Sequence, residues 1–326
     1  MILVTGATGF LGKKLVIELR NRNYPVRALV RDVNRAEAIA NLGVELVKGD
    51  ITDKTSVLKA MDGCQYVFHI AAMVKTWLRD RLQFDRVNIE GLGNILECAK
   101  QCKIEKVIYT SSFMALGPTD GTIADEDYVL YPRKFYNDYE RTKYLADQLA
   151  RRYSIEEGAQ VILYPGVIYG PGELTQGNIV VSLIQQYLHR KLPGMLGDGS
   201  KQWNYVYIDD VVNGQILALE RAIIGSRYIL GGENASMLAF IKLLEELSGV
   251  PAPKWHIPYW LAGLVATGEE LAAYLFNRTP QNTHGTIEIY KHDWTYTSKK
   301  AELELGYSHI SLREGLTKTL DWLKTI

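Results

Sequence analysis

Three residues in this chain have the types and the order of a proton relay: Ser112, Tyr139 and Lys143. Tyr139 and Lys143 stand four apart in a segment of helical periodicity, so they share a face one turn apart. A free phenol, with a pKa of about 10, is a poor base at neutral pH. A nearby ammonium, together with the positive charge of an oxidised nicotinamide ring, stabilises the phenolate and lowers that value. Ser112 ends the run Tyr109-Thr110-Ser111-Ser112, at the carboxyl end of a predicted strand. A hydroxyl there can hold a substrate oxygen in line, with Ser111 as its neighbour. The three groups together suit hydride transfer at a carbinol or carbonyl carbon. Tyr-x-x-x-Lys alone is a weak signal, because such pairs often only cover a helix surface. Its weight comes from the elements around it.

Those elements begin at the first residues. Ile2–Val4 is an apolar run that leads into Gly6, Gly9 and Gly12, and helical periodicity follows at Leu11, Leu15, Val16 and Leu19. Gly6 can make the tight turn, Gly9 lets backbone N–H groups approach phosphate oxygens, and Gly12 lets the helix pack close to the strand. Thr8, Phe10 and Leu11 fill the turn between them. The helix N-terminus then faces a dinucleotide pyrophosphate. The spacing is G-x-x-G-x-x-G rather than G-x-G-x-x-G.

Further strand candidates are Val26–Val30, Val44–Val47, Tyr66–Ile70, Lys106–Thr110 and Gln160–Tyr164, with helical periodicity between them, as in Leu82–Cys102 and Tyr139–Arg152. Such alternation predicts an α/β fold, a Rossmann-type doubly wound parallel sheet with a smaller C-terminal substrate-binding lobe. Ligands then bind at the carboxyl edge of the strands. The predicted division is 1–164 for the dinucleotide-binding domain and 165–326 for a mainly helical lobe, with room for strand exchange between the two.

Several residues at that edge suit a dinucleotide. Arg31 follows the second strand, where a guanidinium fits a ribose 2′-phosphate and a carboxylate would fit a free 2′-hydroxyl. Arg31 therefore points to NADP(H), with NAD(H) as the alternative because Asp32 comes next. Asp50 is placed to accept from an adenine amino group, with Ile51 against the ring. His69-Ile70-Ala71-Ala72 offers small residues, Ala71 and Ala72, along the phosphate–ribose path. Taken singly, Asp50 reads as a turn residue and His69 as a satisfied core histidine.

In this order the parts resemble an extended short-chain dehydrogenase/reductase of the NAD-dependent epimerase/dehydratase type. The matching residues are Thr5-Gly-Ala-Thr-Gly-Phe-Leu-Gly12, Gly49-Asp50, His69-Ile-Ala-Ala72, Thr110-Ser-Ser112, Tyr139-x-x-x-Lys143 and Tyr164-Pro-Gly-Val-Ile-Tyr-Gly-Pro-Gly172. Within that family the chain is most similar to dihydroflavonol-4-reductase-like and farnesol dehydrogenase-like proteins, through Tyr109–Gly117, Thr119–Gly121, Tyr139–Lys143 and Gly232–Ser236. The resemblance implies Tyr139 as general acid/base, Lys143 orienting the nicotinamide ribose, and Ser112 binding the substrate oxygen. It implies Pro165 and Val167 beside the nicotinamide, and a homodimer through helices near Leu82–Cys102 and Tyr139–Arg152.

The second half carries helical periodicity at Asn178–His189, Asp209–Ala222, Met237–Ser248 and Leu312–Lys324, and short strands near Tyr205–Tyr207 and Tyr228–Leu230. Gly- and Pro-rich loops at 166–177 and 192–199 suit substrate selection. Relatives acting on nucleotide sugars typically place an Arg after a Gly-Asp-Gly segment, to grip the diphosphate. Here Gly197-Asp-Gly199 is followed by Trp203. The run after Ser112 is Phe113-Met114-Ala115-Leu116, where sugar enzymes carry a Thr and a Tyr. Trp77, Phe113, Met114, Phe135 and Trp203 are therefore candidate walls of an apolar pocket, against the plainer reading that several are ordinary core. Residues 117–137 read as a flexible acidic lid (Asp120, Asp125, Glu126, Asp127), unfavourable to a diphosphate, although a solvated loop explains the acids equally well.

Composition excludes other classes. The 326 residues carry 37 Lys+Arg and 37 Asp+Glu, so no basic excess marks a nucleic-acid partner. Three cysteines without a C-x-x-C pair suggest a reducing, cytoplasmic setting, and no motif calls for a metal. A strand from residue 2 leaves no room for a signal peptide. The apolar stretch Ile257–Phe276 contains Glu269 and Glu270 and reads as a packed helix rather than a transmembrane segment, with an interfacial role as the alternative. The expected activity is alcohol–carbonyl interconversion on a small apolar substrate. A nucleotide-sugar epimerase or dehydratase with tightly bound NAD is the alternative, and a non-enzymatic dinucleotide sensor is the third reading.

Overall fold

The computed structural model describes residues 1–156, 158–173, 177–276, 278–280 and 282–326. The apolar runs become strands β1 Ile2–Thr5, β2 Val26–Val30, β3 Glu45–Lys48, β4 Tyr66–His69, β5 Lys106–Thr110 and β6 Gln160–Pro165. They are followed by β7 Val167–Tyr169, β8 Met195–Leu196, β9 Gln202–Tyr207, β10 Arg227–Leu230, β11 Glu233–Ser236 and β12 His256–Ile257. The main sheet has seven parallel strands in the order β10-β6-β5-β4-β1-β2-β3. Every residue of β1 and β6 is buried, because helices cover both faces. Chain order reverses at β1, which lies between β2 and β4. A crevice opens there, at the strand carboxyl ends.

Strand β10 comes from the second half of the chain and pairs with β6, so the two halves share one sheet. Helix Ile208–Arg221, also from the second half, joins the same core as helix Phe10–Asn21, with Val211, Val212 and Ile216 beside Leu15 and Val16. The opposite face is covered by Lys54–Met61, Gly91–Gln101 and Asp138–Glu156. In the second half, β7, β9 and β11 form a small mixed sheet in the order β11-β9-β7, and β8 pairs with β12. Cys64 and Cys98 are buried and Cys102 half-buried, all as free thiols.

The structure differs from expectation in three places. The run Leu82–Cys102 is helical but not uniform. A wider π-type turn, Arg86–Glu90, separates Leu82–Asp85 from Gly91–Gln101. Asn88 inside that turn is buried. It accepts from the Met73 N–H at 2.7 Å and donates to Thr142 Oγ1 at 3.0 Å, a local fit that periodicity does not report.

The loop 117–137 is pinned rather than built as a free lid. Arg133 donates to the carbonyls of Leu116 and Met114 and to Glu140 Oε1, and the side chains of both Arg133 and Glu140 are buried. The Glu126 carboxyl is buried and accepts from the Ile229 N–H at 2.7 Å. Asp120 accepts from the Asp293 N–H, and Asp127 pairs with Arg227. Three of the four acids thus brace tertiary contacts, which accounts for them without a role in repelling ligands.

Ile257–Phe276 does not pack into the core as expected. Helix Tyr259–Phe276 buries only Ala266 and Ala273 fully, and most of its large apolar side chains face outward. Among the described residues, no helix is long and apolar enough to cross a membrane.

Candidate active site

The glycine turn is built as its spacing requires. Gly6 has φ +74°, a conformation that strains any L side chain. The Gly9 N–H donates to the Gly6 carbonyl at 3.0 Å, and Gly9 stands at the N-terminus of helix Phe10–Asn21. A Cβ on Gly6 would lie 2.7 Å from the Ala71 amide nitrogen. A Cβ on Gly12 would lie 2.1 Å from the Gly6 carbonyl oxygen. The close approach at Gly12 is thus to the turn itself rather than to the strand. The result is a bare backbone cradle at a helix N-terminus, a geometry that suits an anion.

The cradle opens into a cavity of about 760 Å³ that runs along the strand carboxyl ends. It is lined at one end by Thr8, Phe10, Leu11, Arg31, Asp50 and Ile51. Ala71 and Ala72 lie in the middle. Ser112, Tyr139, Lys143, Pro165 and Val167 are at the other end. Phe113, Met114 and Trp203 also reach it. Trp77 does not line it but lies edge-on to Tyr274, with ring centroids 5.6 Å apart. Phe135 packs on Tyr144 and under Arg133 instead. Both are large side chains in segments whose direction only the fold decides.

Local chemistry sets the three relay residues. Asn137 accepts from the Glu140 N–H at 2.8 Å and caps helix Asp138–Glu156, whose first turn carries Asp138 and Glu140. Tyr139 and Lys143 project from that helix towards the end of β5. Lys143 is buried, and its Nζ donates to the Thr110 carbonyl at 3.1 Å. Ser112 Oγ accepts from the Met114 N–H at 3.2 Å, which fixes its rotamer at the start of the short turn Phe113–Ala115.

The electrostatics depart from the simple expectation. Burial pushes the Tyr139 phenol up to about 12, and the Ser112 hydroxyl pulls the other way. Burial holds Lys143 down at about 8, opposed by the Asp147 carboxylate one turn further on. With the protein's own groups, desolvation therefore outweighs any lowering of the phenol by the ammonium. Asp147 is itself held beneath the site: Tyr164 donates to it at 2.7 Å, and Arg151 lies 2.7 Å from its other oxygen. His69 is buried, bonded to Thr5 Oγ1 at 2.8 Å and kept neutral, so it is the satisfied core histidine. Asp50 accepts from the N–H and the hydroxyl of Thr52, so it holds its turn as well as lining the cavity.

Some lining residues were not anticipated. Arg35 reaches the cavity beside Arg31, and among the described residues neither is in an ion pair. Asp32 instead accepts from the Asn34 N–H at 3.0 Å, which ties it to its own turn. The signal available was Arg31-x-x-x-Arg35, legible only once the turn between them is known. Behind the lining, Tyr290 stacks on Trp203 at 4.9 Å and the fully buried Trp294 packs against Phe113, so a segment distant in sequence backs the apolar wall. The buried hydroxyls of Thr110 and Ser111 lack a hydrogen-bond partner among the described residues. Such hydroxyls are satisfied by ordered water or by a polar ligand group.

The profile of the NAD dependent epimerase/dehydratase family matches residues 2–231. A putative dihydroflavonol 4-reductase of Synechocystis sp. is 35% identical over 326 residues, covering 98% of this chain and 94% of that protein. Sterol demethylase protein B of Methylococcus capsulatus is 30% identical and covers 99% and 98%. Among solved structures, UDP-glucuronic acid 4-epimerase of Bacillus cereus, in complex with a fluorinated UDP-glucuronic acid and NAD, superposes with a TM-score of 0.78. It is 27% identical and covers 99% of each chain.

Proposed function

Because the chain belongs to the NAD dependent epimerase/dehydratase family, we propose that it is an NAD(P)(H)-dependent oxidoreductase that interconverts an alcohol and a carbonyl on a mostly apolar substrate. The observation that carries this reading is one cavity. The phosphate cradle is at one end, and Ser112, Tyr139 and Lys143 are at the other, beside a wall of Phe113, Met114, Val180 and Trp203. The glycine cradle and the unpartnered hydroxyl of Thr110 fit a dinucleotide. When bound, its nicotinamide supplies or accepts the hydride.

In this proposal Ser112 holds the substrate oxygen, and the Tyr139 phenol gives a proton to it in reduction or takes one in oxidation. Lys143, oriented by the Thr110 carbonyl, reaches the ribose hydroxyls and carries positive charge next to the phenol. Pro165 and Val167 flank the nicotinamide, and Asp50 and Ile51 flank the adenine. The homodimer through Leu82–Cys102 and Tyr139–Arg152 belongs to the same proposal.

Arg31 and Arg35 support NADP(H) over NAD(H). Replacing both by Ala removes two charge-assisted contacts to a 2′-phosphate. The KM for NADPH is then expected to rise tenfold or more, on the order of 1.5–3 kcal/mol per contact at most, while that for NADH stays nearly constant. Equal use of NADH and NADPH by the native chain contradicts this assignment.

The decisive assay follows absorbance at 340 nm and product identity with a panel of prenyl aldehydes, flavonoid ketones and nucleotide sugars. Net consumption of NADPH with an apolar carbonyl supports the proposal. The likeness to the UDP-glucuronic acid epimerase favours a second reading, in which a nucleotide sugar turns over without net cofactor change. Trp203 supplies no cation for a diphosphate and speaks against it.

A further inference from the structure

The helix Tyr259–Phe276 presents an outward face made of Trp260, Leu261, Leu264, Val265, Leu271 and Leu275. Trp260 is 68% exposed and Phe276, at the other end, 69%. Contiguous apolar surface of this kind on a globular chain marks an interaction site. The only charged side chains of the helix are turned away from it. Glu269 accepts from the N–H and side-chain amide of Asn282, at 2.8 and 2.9 Å, and Glu270 accepts from the His284 N–H at 2.9 Å. Thr267 likewise bonds His284, at 2.8 Å.

Two cations flank the helix in sequence, Lys254 five residues before it and Arg278 two residues after it. Lys254 and Arg278 are exposed, and neither is in an ion pair among the described residues. Trp255, 77% exposed, stands beside Lys254. Eighteen residues make a helix about 27 Å long. It carries aromatic rings near both ends, aliphatic side chains between them and no outward acid, and exposed cations flank it in sequence. An outward apolar face edged by aromatic rings suits the acyl boundary of a bilayer, and the flanking cations suit anionic headgroups. A second copy fits it less well, since no acid on this face would meet Lys254 or Arg278.

The same helix adjoins the active-site cavity. Tyr274 meets Trp77, and the segment just before Trp77 supplies Met73, Val74 and Lys75 to the cavity lining.

We propose that this helix docks the protein on an anionic phospholipid surface, with the cavity beside it receiving a bilayer-dissolved substrate. The second clause rests on the apolar-substrate reading above, whereas the docking does not. The test sediments the full chain, without substrate, with vesicles of phosphatidylcholine and phosphatidylglycerol in a two-to-one ratio, and with phosphatidylcholine alone. The native chain is expected to pellet, more strongly with the anionic vesicles.

The double variant Leu264→Glu/Leu275→Glu is expected to lose at least about tenfold in partitioning. Its melting temperature and NADPH affinity should be unchanged, because both side chains are already exposed. A native chain that stays in the supernatant, or a variant that pellets equally, overturns the proposal. So does a native dimer that the variant converts to monomer without any vesicle binding, which assigns the face to a second copy. Inactivity on the apolar panel alongside vesicle binding removes the functional reading and leaves the docking standing.

Discussion

Tyr139→Phe is expected to bind NADPH as the native chain does and to turn over substrate about 10²–10⁴-fold more slowly, the usual contribution of a positioned proton donor. The substitution removes only the phenolic oxygen, so the wall against Ser112 and the packing of helix Asp138–Glu156 stay as they are. Fluorescence titration of NADPH and single-turnover reduction separate the two effects. Turnover unchanged in this variant would falsify the relay.

The pH dependence of the native chain should carry the same signature. Lys143 is held at about 8 by burial, below the ordinary lysine value of 10.5. It is charged below pH 8 and loses its charge above. Binding through the ribose is therefore expected to weaken as pH rises through about 8. The stability of the cofactor-free chain has the opposite sign. Between about 8 and 10.5 the unfolded chain holds the proton that the folded chain has released, so the Lys143 contribution to stability rises with pH across that window. Below it both states are protonated and the burial penalty is fully present. Tyr139, pushed up to about 12 by burial, stays protonated across neutral pH in the cofactor-free chain.

The Gly12→Ala variant is expected to lose dinucleotide binding with its strands still formed. Its methyl would sit 2.1 Å from the Gly6 carbonyl oxygen and 2.7 Å from the Gly6 carbonyl carbon. Backbone cannot swing aside as a flexible side chain does, so the helix N-terminus must move off the turn. Overpacking of this kind costs roughly 1–3 kcal/mol. Displacing the amides from the phosphate is expected to cost at least about a further tenfold in affinity. Circular dichroism should keep its α/β signature, the melting temperature should fall by several degrees, and NADPH titration should show the loss. Native affinity in Gly12→Ala would remove the cradle from the proposed site.

Much of this was open to a reader of the sequence. The central strands announce themselves because a parallel sheet covered on both faces needs apolar runs, such as Ile2–Val4 and Val107–Tyr109. Gly6, Gly9 and Gly12 are legible because phosphate binding at a helix N-terminus is local, confined to one turn of chain. Tyr139 and Lys143 are legible for the same reason, since four residues of helix bring them to one face.

What sequence could not supply is whatever depends on the packing of distant segments. Trp77 and Trp203 are equivalent as text, yet one lies on Tyr274 outside the cavity and the other stacks on Tyr290 within its wall. The acids of 117–137 looked like a charged lid, but Glu126 is buried on Ile229 and Asp120 holds Asp293, partners more than a hundred residues away. The apolar stretch around Trp260 looked like core, because hydrophobicity alone does not say whether another element arrives to cover it. The proton affinities of the relay belong to the same class. Spacing puts Lys143 one turn from Tyr139, but only the fold decides how deeply each is buried, and burial is the largest influence on both. Chemistry carried by a single turn or helix is written in the sequence. Desolvation, wall composition and exposed faces are sums over segments far apart in the chain, so the tertiary structure alone decides them.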